Sequence, residues 1–232
     1  MSASVKPVFT PLYGQVKQSI LGRIISGEWG PGSFLPSEMA LAEEYGVSQG
    51  TLRKALNALT REKRLVRYQG KGTAVAVLDE DSALFPFFLF NDRQGKRVFP
   101  ISKVRGIAAA APKPEESAAL GLRAGERVIH IDRVRFLNEQ PIINERVTLP
   151  AGRFPEFSLE VGKVPNALYE HYQLRYGITI SRAAEQIEAA VSTAEDEQYL
   201  HVGAGHPLLL VTRVTYDLQD TPIEFRLSRV NT

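Results

Sequence analysis

The sequence predicts an α+β protein of two domains, and three observations support this fold class. Its 232 residues, 44% of them apolar, suffice for two hydrophobic cores. Residues 1–78 contain ten Lys and Arg against five Asp and Glu, whereas the remainder contains 18 against 21. Helical and then strand-like patterns occupy the first part, and the second part contains an internal repeat. We therefore expect a basic domain over 1–78, an acidic linker over 79–84 and a second domain over 85–232.

The first helix is predicted to begin at Pro11, with Thr10 as its capping residue, and to end near Gly27. Its apolar residues recur at four-residue spacing, which predicts one buried helix face. They are Leu12, Val16, Ile20 and Ile24.

Two shorter helices follow, each with a serine at the capping position. Ser37 begins one helix, which Gly46 ends, and Ser48 begins the next. Apolar residues share one face of this third helix: Leu52, Ala55, Leu56 and Leu59. Small or polar residues share the opposite face: Gly50, Arg53, Lys54 and Asn57. Two short helices, a glycine turn and a basic outward face are typical of a helix-turn-helix.

A hairpin is predicted after the third helix. Strand-like runs at 65–68 and 73–77 are separated by Gly70, Lys71 and Gly72. Such a hairpin forms the wing of a winged helix-turn-helix. The net charge of +5 on residues 1–78 would attract phosphates, whereas the −3 on the rest would not.

Short motifs run through this domain in a fixed order: Pro11-Leu12-Tyr13, Pro31-Gly32, Leu35-Pro36-Ser37-Glu38, Gly46-Val47-Ser48, Thr51-Leu52-Arg53 and Gly70-Lys71-Gly72-Thr73. In order and spacing they resemble the GntR family of bacterial regulators. The resemblance implies that the helix from Ser48 enters the major groove of DNA and that the wing lies at the adjacent minor groove.

We expect DNA contacts from Ser37, Ser48, Gln49, Thr51, Arg53, Lys54, Gly70 and Lys71. Gln49 suits an adenine edge and Arg53 a guanine edge, while hydroxyls and amides hold phosphates. Two positions depart from the family pattern. Met39 replaces an arginine found in many members, and Gly50 costs about 1 kcal/mol relative to alanine inside a helix. The alternative is that the basic side chains only form a solvated helix face and do not contact DNA.

The second domain contains a repeat displaced by 80 positions. Residues 119–125 resemble 199–205, and residues 133–136 resemble 213–216. Each copy has the pattern of a strand, a short acidic helix, a glycine-containing turn and two further strands. Duplication of this kind predicts a pseudo-symmetric α+β domain.

Further motifs are spread over this domain: Ile131-Asp132-Arg133-Val134-Arg135, Gln140-Pro141-Ile142, Leu149-Pro150, Tyr176-Gly177-Ile178 and Pro222-Ile223-Glu224. They resemble the UTRA domain, which is related to chorismate lyase and defines the HutC-type branch of the GntR family. The resemblance implies a mostly antiparallel sheet flanked by helices, a ligand pocket, and a homodimer made through the sheet domains. Family members usually continue beyond the counterpart of Arg229, so either the final strand is shorter here or the chain is truncated.

Effector contacts are expected from Arg133, Arg135, Glu145, Arg182 and Glu224. Arg133 and Arg135 alternate on one strand face, and a guanidinium suits a phosphate or carboxylate. Carboxylates suit sugar hydroxyls or an amine. A structural role is the alternative for Arg133, because the second copy has Arg213 at the same position and either arginine could pair with a carboxylate.

Other classes of function fit the sequence less well. No nucleophile elbow, phosphate-binding glycine loop or metal-ligand spacing occurs, so we expect neither an enzyme nor a metal or other cofactor. The chain has no cysteine, and its longest apolar run, 84–90, is too short to cross a bilayer. We therefore expect a soluble, cytoplasmic protein. A nonspecific architectural DNA protein is the remaining rival.

The sequence thus predicts a sequence-specific transcriptional regulator, by family habit a repressor, that binds a near-palindromic double-stranded operator as a homodimer. A small-molecule effector, favoured to be anionic, would control its operator affinity. The effector could be a sugar phosphate, a carboxylate, a phosphonate or a fatty acid. The sequence does not identify the operator, and it leaves activation open as the alternative to repression.

Overall fold

The computed structural model describes residues 11–77 and 100–231, which form two compact units divided between Val77 and Leu78. Thr10, the predicted linker at 79–84 and the apolar run at 84–90 lie outside the described residues. Among the described helices, none is long and apolar enough to span a membrane.

The first unit contains three helices and a two-stranded antiparallel hairpin. The elements are α1 (Leu12–Ile25), α2 (Glu38–Glu44), α3 (Gln49–Arg61), β1 (Leu65–Tyr68) and β2 (Gly72–Val75). The hairpin pairs Leu65 with Val75 and Tyr68 with Gly72. This arrangement confirms the predicted winged helix-turn-helix, although β2 begins one residue earlier and ends two residues earlier than expected.

Helix α1 differs in part from the prediction. Pro11 is the residue that precedes the helix instead of its first helical residue. Val16 and Ile20 are buried, and Ile24 is partly buried. The prediction was wrong for Leu12, which is 53% exposed. The apolar core contacts this helix only from Val16 onward, so the first turn lies beyond it.

Helices α2 and α3 begin at the predicted serines. The Ser37 hydroxyl accepts a hydrogen bond from the Ala40 amide at 3.1 Å, and the Ser48 hydroxyl accepts one from the Thr51 amide at 3.2 Å. These bonds satisfy amides that have no partner within the helix. The predicted apolar face of α3 is fully buried: Leu52, Ala55, Leu56 and Leu59. The helix-turn-helix is thus fixed by capping at its surface and by aliphatic packing beneath it.

The second unit is a six-stranded antiparallel sheet with helices. Its elements are β3 (Ile101–Ala110), α4 (Pro114–Leu120), β4 (Val128–Leu137), β5 (Gln140–Pro150), two 3-10 turns (Ala151–Arg153 and Val161–Lys163), α5 (Leu168–Tyr176), β6 (Ile180–Val191), α6 (Ala194–Leu200), β7 (Pro207–Asp217) and β8 (Pro222–Val230). The strand order is β3-β4-β5-β8-β7-β6.

The sheet confirms the predicted repeat. The elements β3-α4-β4-β5 recur as β6-α6-β7-β8, and the two halves meet where β5 pairs with β8. Both short helices begin with the same device, because Glu116 accepts from the Lys113 amide and Asp196 from the Thr193 amide. Helix α4 packs against β8 and α6 against β5, so each helix crosses onto the other half.

Helix α5 and the 3-10 turns cover an apolar core on the sheet. Phe154 and Tyr172 meet edge to face at 4.8 Å between ring centres, above Ile131, Val147 and Leu149. Tyr169 and Tyr172 of α5 carry hydroxyls into this otherwise apolar layer, and both side chains are buried. A buried hydroxyl needs a polar partner. The carboxylate of Glu224 is that partner for both hydroxyls.

Candidate nucleic-acid interface and buried charge cluster

The amino-terminal half of α3 presents most of the predicted DNA contacts to solvent. Gln49, Arg53 and Lys54 are exposed. The hydroxyls of Ser48 and Thr51 lie 3.0 Å apart at the start of the helix, where backbone amides also favour a phosphate. A Cβ at Gly50 would meet only the Ser48 hydroxyl at 3.8 Å, which is ordinary contact. Packing within the unit therefore does not require this glycine.

The wing turn adds Gly70 and Lys71 to the same side of the unit. Gly70 and Gly72 have φ values of +73° and +117°, conformations that favour glycine. A groove of about 630 Å³ separates the turn from the start of α2. It is lined by Leu35, Pro36, Ser37, Glu38, Leu56 and residues 67–73. Ser37, Gly70 and Lys71, which are distant in the sequence, therefore share one concave surface.

Glu38 connects α3 with the hairpin, a contact that the sequence did not predict. Its carboxylate accepts from Arg53 Nε at 2.6 Å and lies 3.1 Å from Arg67 Nη2 on β1. The bond to Arg53 uses Nε, so the two terminal amino groups of that guanidinium can still donate together to a guanine. The only signal in the sequence was the position of Glu38 in the first turn of α2. We infer that Glu38 orients Arg53.

Replacing Glu38 with glutamine is expected to strengthen binding to random DNA while weakening base discrimination. The substitution breaks the exposed ion pair between Glu38 and Arg53 and leaves the charge of Arg53 available to phosphates. Because an exposed ion pair contributes little energy, the gain in the free energy of nonspecific binding should be about 0.5–1 kcal/mol. Fluorescence anisotropy on a random duplex and on a selected site, each at several salt concentrations, measures both effects. Glu43→Gln, an exposed change on the same helix, is the matched control. An equal effect of both variants on both duplexes would contradict an orienting role.

In the second unit, ionic side chains from four strands meet beneath α5. Each is at most 7% exposed. We call the following six residues the buried charge cluster: Arg133, Arg135, Glu145, Arg213, Glu224 and Arg226. They come from β4, β5, β7 and β8, which occupy the four central positions of the sheet. Charged residues are seldom buried unless they are paired or bind a ligand.

The two carboxylates lie at the centre of the buried charge cluster. Glu145 accepts from Arg133 Nε and from the Ser228 hydroxyl at 3.0 Å, and it lies 3.7 Å from Arg226. Glu224 accepts from Arg226 at 2.8 Å. The hydroxyls of Tyr169 and Tyr172 donate to Glu224 at 3.1 and 2.8 Å. Helix α5 thus contributes directly to the charge network.

Burial and neighbouring charges shift the pKa values of Glu145 and Arg135 in the cluster. Burial would raise the pKa of Glu145, but Arg133, Arg226 and Arg135 outweigh it and hold that pKa well below its ordinary value. Burial lowers the pKa of Arg135, Glu145 opposes this effect and the neighbouring arginines add to it, which together place that pKa at about 9. An added anion would therefore favour the charged form of Arg135.

The number of charges in the cluster also favours an added anion. The cluster holds four arginines and two glutamates, and Arg213 also pairs with Glu185, at 2.5 Å from its Nε. One positive charge is therefore in excess among these described residues. The structural alternative for Arg133 and Arg213 agrees with this pairing, since each does bind a carboxylate.

The structure brings together four of the five expected effector residues, namely Arg133, Arg135, Glu145 and Glu224. Arg182 lies apart from them. It is 47% exposed on the edge strand β6, lies 2.6 Å from Asp220 and stacks over the Tyr216 ring at 3.6 Å. Because Arg182 pairs with Tyr216 and Glu185 with Arg213, Arg182 points to the opposite face from the cluster.

Four residues in or beside the cluster were not predicted as effector contacts: Arg213, Arg226, Tyr169 and Tyr172. Arg213 was visible only as the repeat counterpart of Arg133, and Arg226 only as a neighbour of Glu224 on an alternating strand. The two tyrosines, on a helix, gave no signal. Within the described part of the chain, no group of three His, Cys, Asp or Glu could hold a metal ion.

Comparison with known families decides what these two units are. A model described as bacterial regulatory proteins, gntR family, matches residues 12–75, and the UTRA domain model matches residues 94–232. The chain belongs to the GntR family, in its HutC-type branch. Regulators of this family bind operator DNA, and the UTRA domain binds small-molecule effectors. This GntR-family chain is thus a DNA-binding transcriptional regulator under ligand control, not an enzyme.

Relatives of this GntR-family protein are similar along almost the whole chain. The transcriptional repressor NagR of Bacillus subtilis is 31% identical over 92% of this chain and 88% of its own length. The histidine utilization repressor of Pseudomonas putida is 33% identical over 89% of this chain and 82% of its own length. Both domains and their order are therefore shared with repressors.

Solved structures are similar in fold. The ligand-binding domain of a GntR-family regulator from Bordetella bronchiseptica has 30% identity and a TM-score of 0.56, and it covers 59% of this chain and 87% of its own. PhnF from Mycobacterium smegmatis has 26% identity and a TM-score of 0.52 over 93% of this chain and 94% of its own. These matches agree with the α+β fold class expected from the sequence.

Proposed function

We propose that this regulator is a cytoplasmic, homodimeric repressor whose operator affinity is controlled by a small anionic metabolite bound at the buried charge cluster. The observation that carries the proposal is the excess positive charge at the centre of the sheet. Its relatives NagR and the histidine utilization repressor are named as repressors, which supports repression over activation.

The proposed DNA surface divides its contacts by chemistry. Gln49 and Arg53, exposed on α3, would read base edges in the major groove. Phosphate contacts are assigned to the remaining expected residues: Ser37, Ser48, Thr51, Lys54, Gly70 and Lys71. The Ser37 and Ser48 hydroxyls cap helices, so the phosphates would lie at two helix amino termini. A homodimer would place two such surfaces on a near-palindromic site, about one helical turn between half-site centres.

Changing Lys71 to alanine is expected to weaken binding to all DNA sequences to a similar degree. Lys71 is exposed at the wing tip, where a lysine contributes as a point charge on a phosphate. The slope of log affinity against log salt should become shallower by about 0.9 for each phosphate that is no longer neutralised, or about 1.8 for a dimer. Titrations on specific and random duplexes between low and moderate salt measure it. A change confined to the specific duplex would assign Lys71 to base reading instead.

The proposed effector carries a phosphate or a carboxylate and is small enough to lie beside α5. An anion would pair with Arg133 and Arg135 in a bidentate manner. Glu145 and Glu224 would orient hydroxyl or amino groups on the remainder of the molecule. Binding would change operator affinity through a coupling free energy, which is typically 1–3 kcal/mol. Arg182 is left out of the proposed pocket because it lies on the other face of the sheet.

Matched ligand pairs test this effector class. Thermal-shift assays compare a phosphorylated or carboxylated metabolite with its neutral analogue on the full chain. We expect only anionic members to raise the melting temperature, and we expect Arg135→Gln to remove that response. Arg146→Gln is the control, because Arg146 lies on the opposite face of β5 and pairs with Asp132. Stabilisation by neutral analogues, retained in Arg135→Gln, would overturn the anionic assignment.

A further inference from the structure

A buried hydroxyl group lies on the same face of the sheet as the buried charge cluster. Thr215 on β7 is 0% exposed, and its Oγ1 has no hydrogen-bond partner among the residues that the structure describes. Thr215 pairs with Glu224 of β8, and directly opposite residues of antiparallel strands share a face. It also lies two positions after Arg213 on its own strand. The side chain of Thr215 therefore points into the layer that contains the cluster.

The Glu224 carboxylate, opposite Thr215, is occupied by other donors. It accepts from Arg226 Nε at 2.9 Å and from the hydroxyls of Tyr169 and Tyr172. A buried hydroxyl without a partner costs free energy, and native proteins seldom contain one unless water or a ligand satisfies it. Valine would fill nearly the same space without this cost. The hydroxyl of Thr215 therefore points to a ligand group.

The internal repeat makes Thr215 the counterpart of Arg135. Positions 133 and 135 on β4 correspond to positions 213 and 215 on β7. The first position is arginine in both halves, whereas the second changes from arginine to threonine. The first half thus offers Arg133 and Arg135 to an anion. The second half offers a hydroxyl beside Arg213, which already binds Glu185. The two halves are therefore suited to different groups of one ligand.

We propose that Thr215 is a specificity-determining effector residue, and that the effector carries an anionic group at one end and a hydroxyl or amide group at the other. This inference rests on the proposed function and narrows its ligand class. The anionic group pairs with Arg133 and Arg135 on β4, and the far group bonds to Thr215 on β7. These strands are separated by β5 and β8, so they lie three strand spacings apart, or roughly 14 Å.

The two intervening strands supply acceptors for the middle of such a molecule. Glu145 lies on β5 and Glu224 on β8, and both point into the same layer. Carboxylates accept from hydroxyl or amino groups. The order across the sheet is thus two guanidinium groups, two carboxylates and one hydroxyl. An extended, hydroxylated anion such as a sugar phosphate matches this order. Inorganic phosphate is too short to reach both ends, and a fatty acid would place hydrocarbon beside polar groups.

The first test needs no ligand. Thr215→Val removes a hydroxyl without a partner and should raise the melting temperature of the second unit, measured by calorimetry on the full chain. Thr148→Val is the matched control. Thr148 is also 0% exposed, but it lies on the opposite face of β5 from Glu145 and donates to Glu116 at 3.0 Å, so its loss should lower the melting temperature. A lower melting temperature for Thr215→Val would overturn the proposal, because the hydroxyl would then already have a partner.

The second test is isothermal titration with hexose 6-phosphates and disaccharide phosphates as the long probes and inorganic phosphate as the short one. The long probes that bind the wild-type chain should bind Thr215→Val about two- to tenfold more weakly. Inorganic phosphate should bind both proteins equally, and Thr148→Val should leave every affinity unchanged. Equal affinities of Thr215→Val and the wild-type chain for all long probes would overturn the proposal, as would a wild-type chain that binds none of them.

The outcome is separable from that of the proposed function. Binding of a long probe that Arg135→Gln removes and Thr215→Val leaves unchanged refutes the role of Thr215 alone. Binding of a fatty acid or a short carboxylate, but of no long probe, refutes the extended ligand class and leaves the anionic effector in place. If no anion binds the wild-type chain, the proposed function fails as well.

Discussion

Glu145→Ala is expected to destabilise the second unit by about 3–5 kcal/mol, because it leaves buried arginines without their shared carboxylate. Glu145 is fully buried and binds Arg133, Arg226 and Ser228. Urea unfolding followed by circular dichroism, with the two units fitted as separate transitions, measures the loss. Glu160→Ala is the control, since Glu160 is 67% exposed and pairs with exposed Lys163, so it should cost less than about 1 kcal/mol. A similar small loss for Glu145→Ala would show that the cluster is not tightly coupled.

Acid should destabilise the wild-type chain and Glu145→Ala by different amounts. The arginines hold the pKa of Glu145 below its ordinary value of 4.5. A carboxylate with a lowered pKa contributes stability above its unfolded-state pKa, and that contribution declines as the pH falls below it. The difference in unfolding free energy between the wild-type chain and Glu145→Ala should therefore be constant near neutral pH and shrink below about pH 4.5. A difference that grows in acid would contradict the assigned charge state.

Arg53→Ala is expected to weaken binding to the operator by about 1–3 kcal/mol per half-site and to relax the preference at one base pair. Arg53 is 60% exposed and oriented by Glu38, which fits contact with a base edge. Arg61→Ala removes the same charge from the last turn of the same helix and is the control. It should change salt dependence without changing base preference. Identical base-preference profiles for the two variants would assign Arg53 to the solvated face.

Much of the first unit could be predicted from the sequence because its determinants are local. Serine caps act within three residues, and the buried face of α3 follows from helical periodicity. The predicted burial of Leu12 was wrong because helical periodicity does not show where along a helix the core ends. The bridge from Glu38 to Arg53 and Arg67 depends on how the wing packs beside α2, which local patterns do not contain.

In the second unit the repeat predicted the succession of strands and helices in each half, and it identified Arg213 as the counterpart of Arg133. The complete charge cluster could not be predicted, because it depends on the register between four strands and on α5. The register between β6 and β7 also explains why Arg182 does not lie with the other expected effector residues. A shift between Ile180 and Arg182 in the β6–β7 pairing precedes this side chain, which then points to the face opposite Arg213.

The central claim, a sequence-specific regulator released by an anionic effector, is tested most directly by one binding experiment. Duplexes selected from a random pool by the full chain are titrated in the presence of each metabolite that gave a thermal shift. We predict an enriched two-fold symmetric site and one anionic ligand that lowers its affinity about 5–150-fold. A pool without any enriched sequence at moderate salt would contradict the account and favour nonspecific, architectural DNA binding.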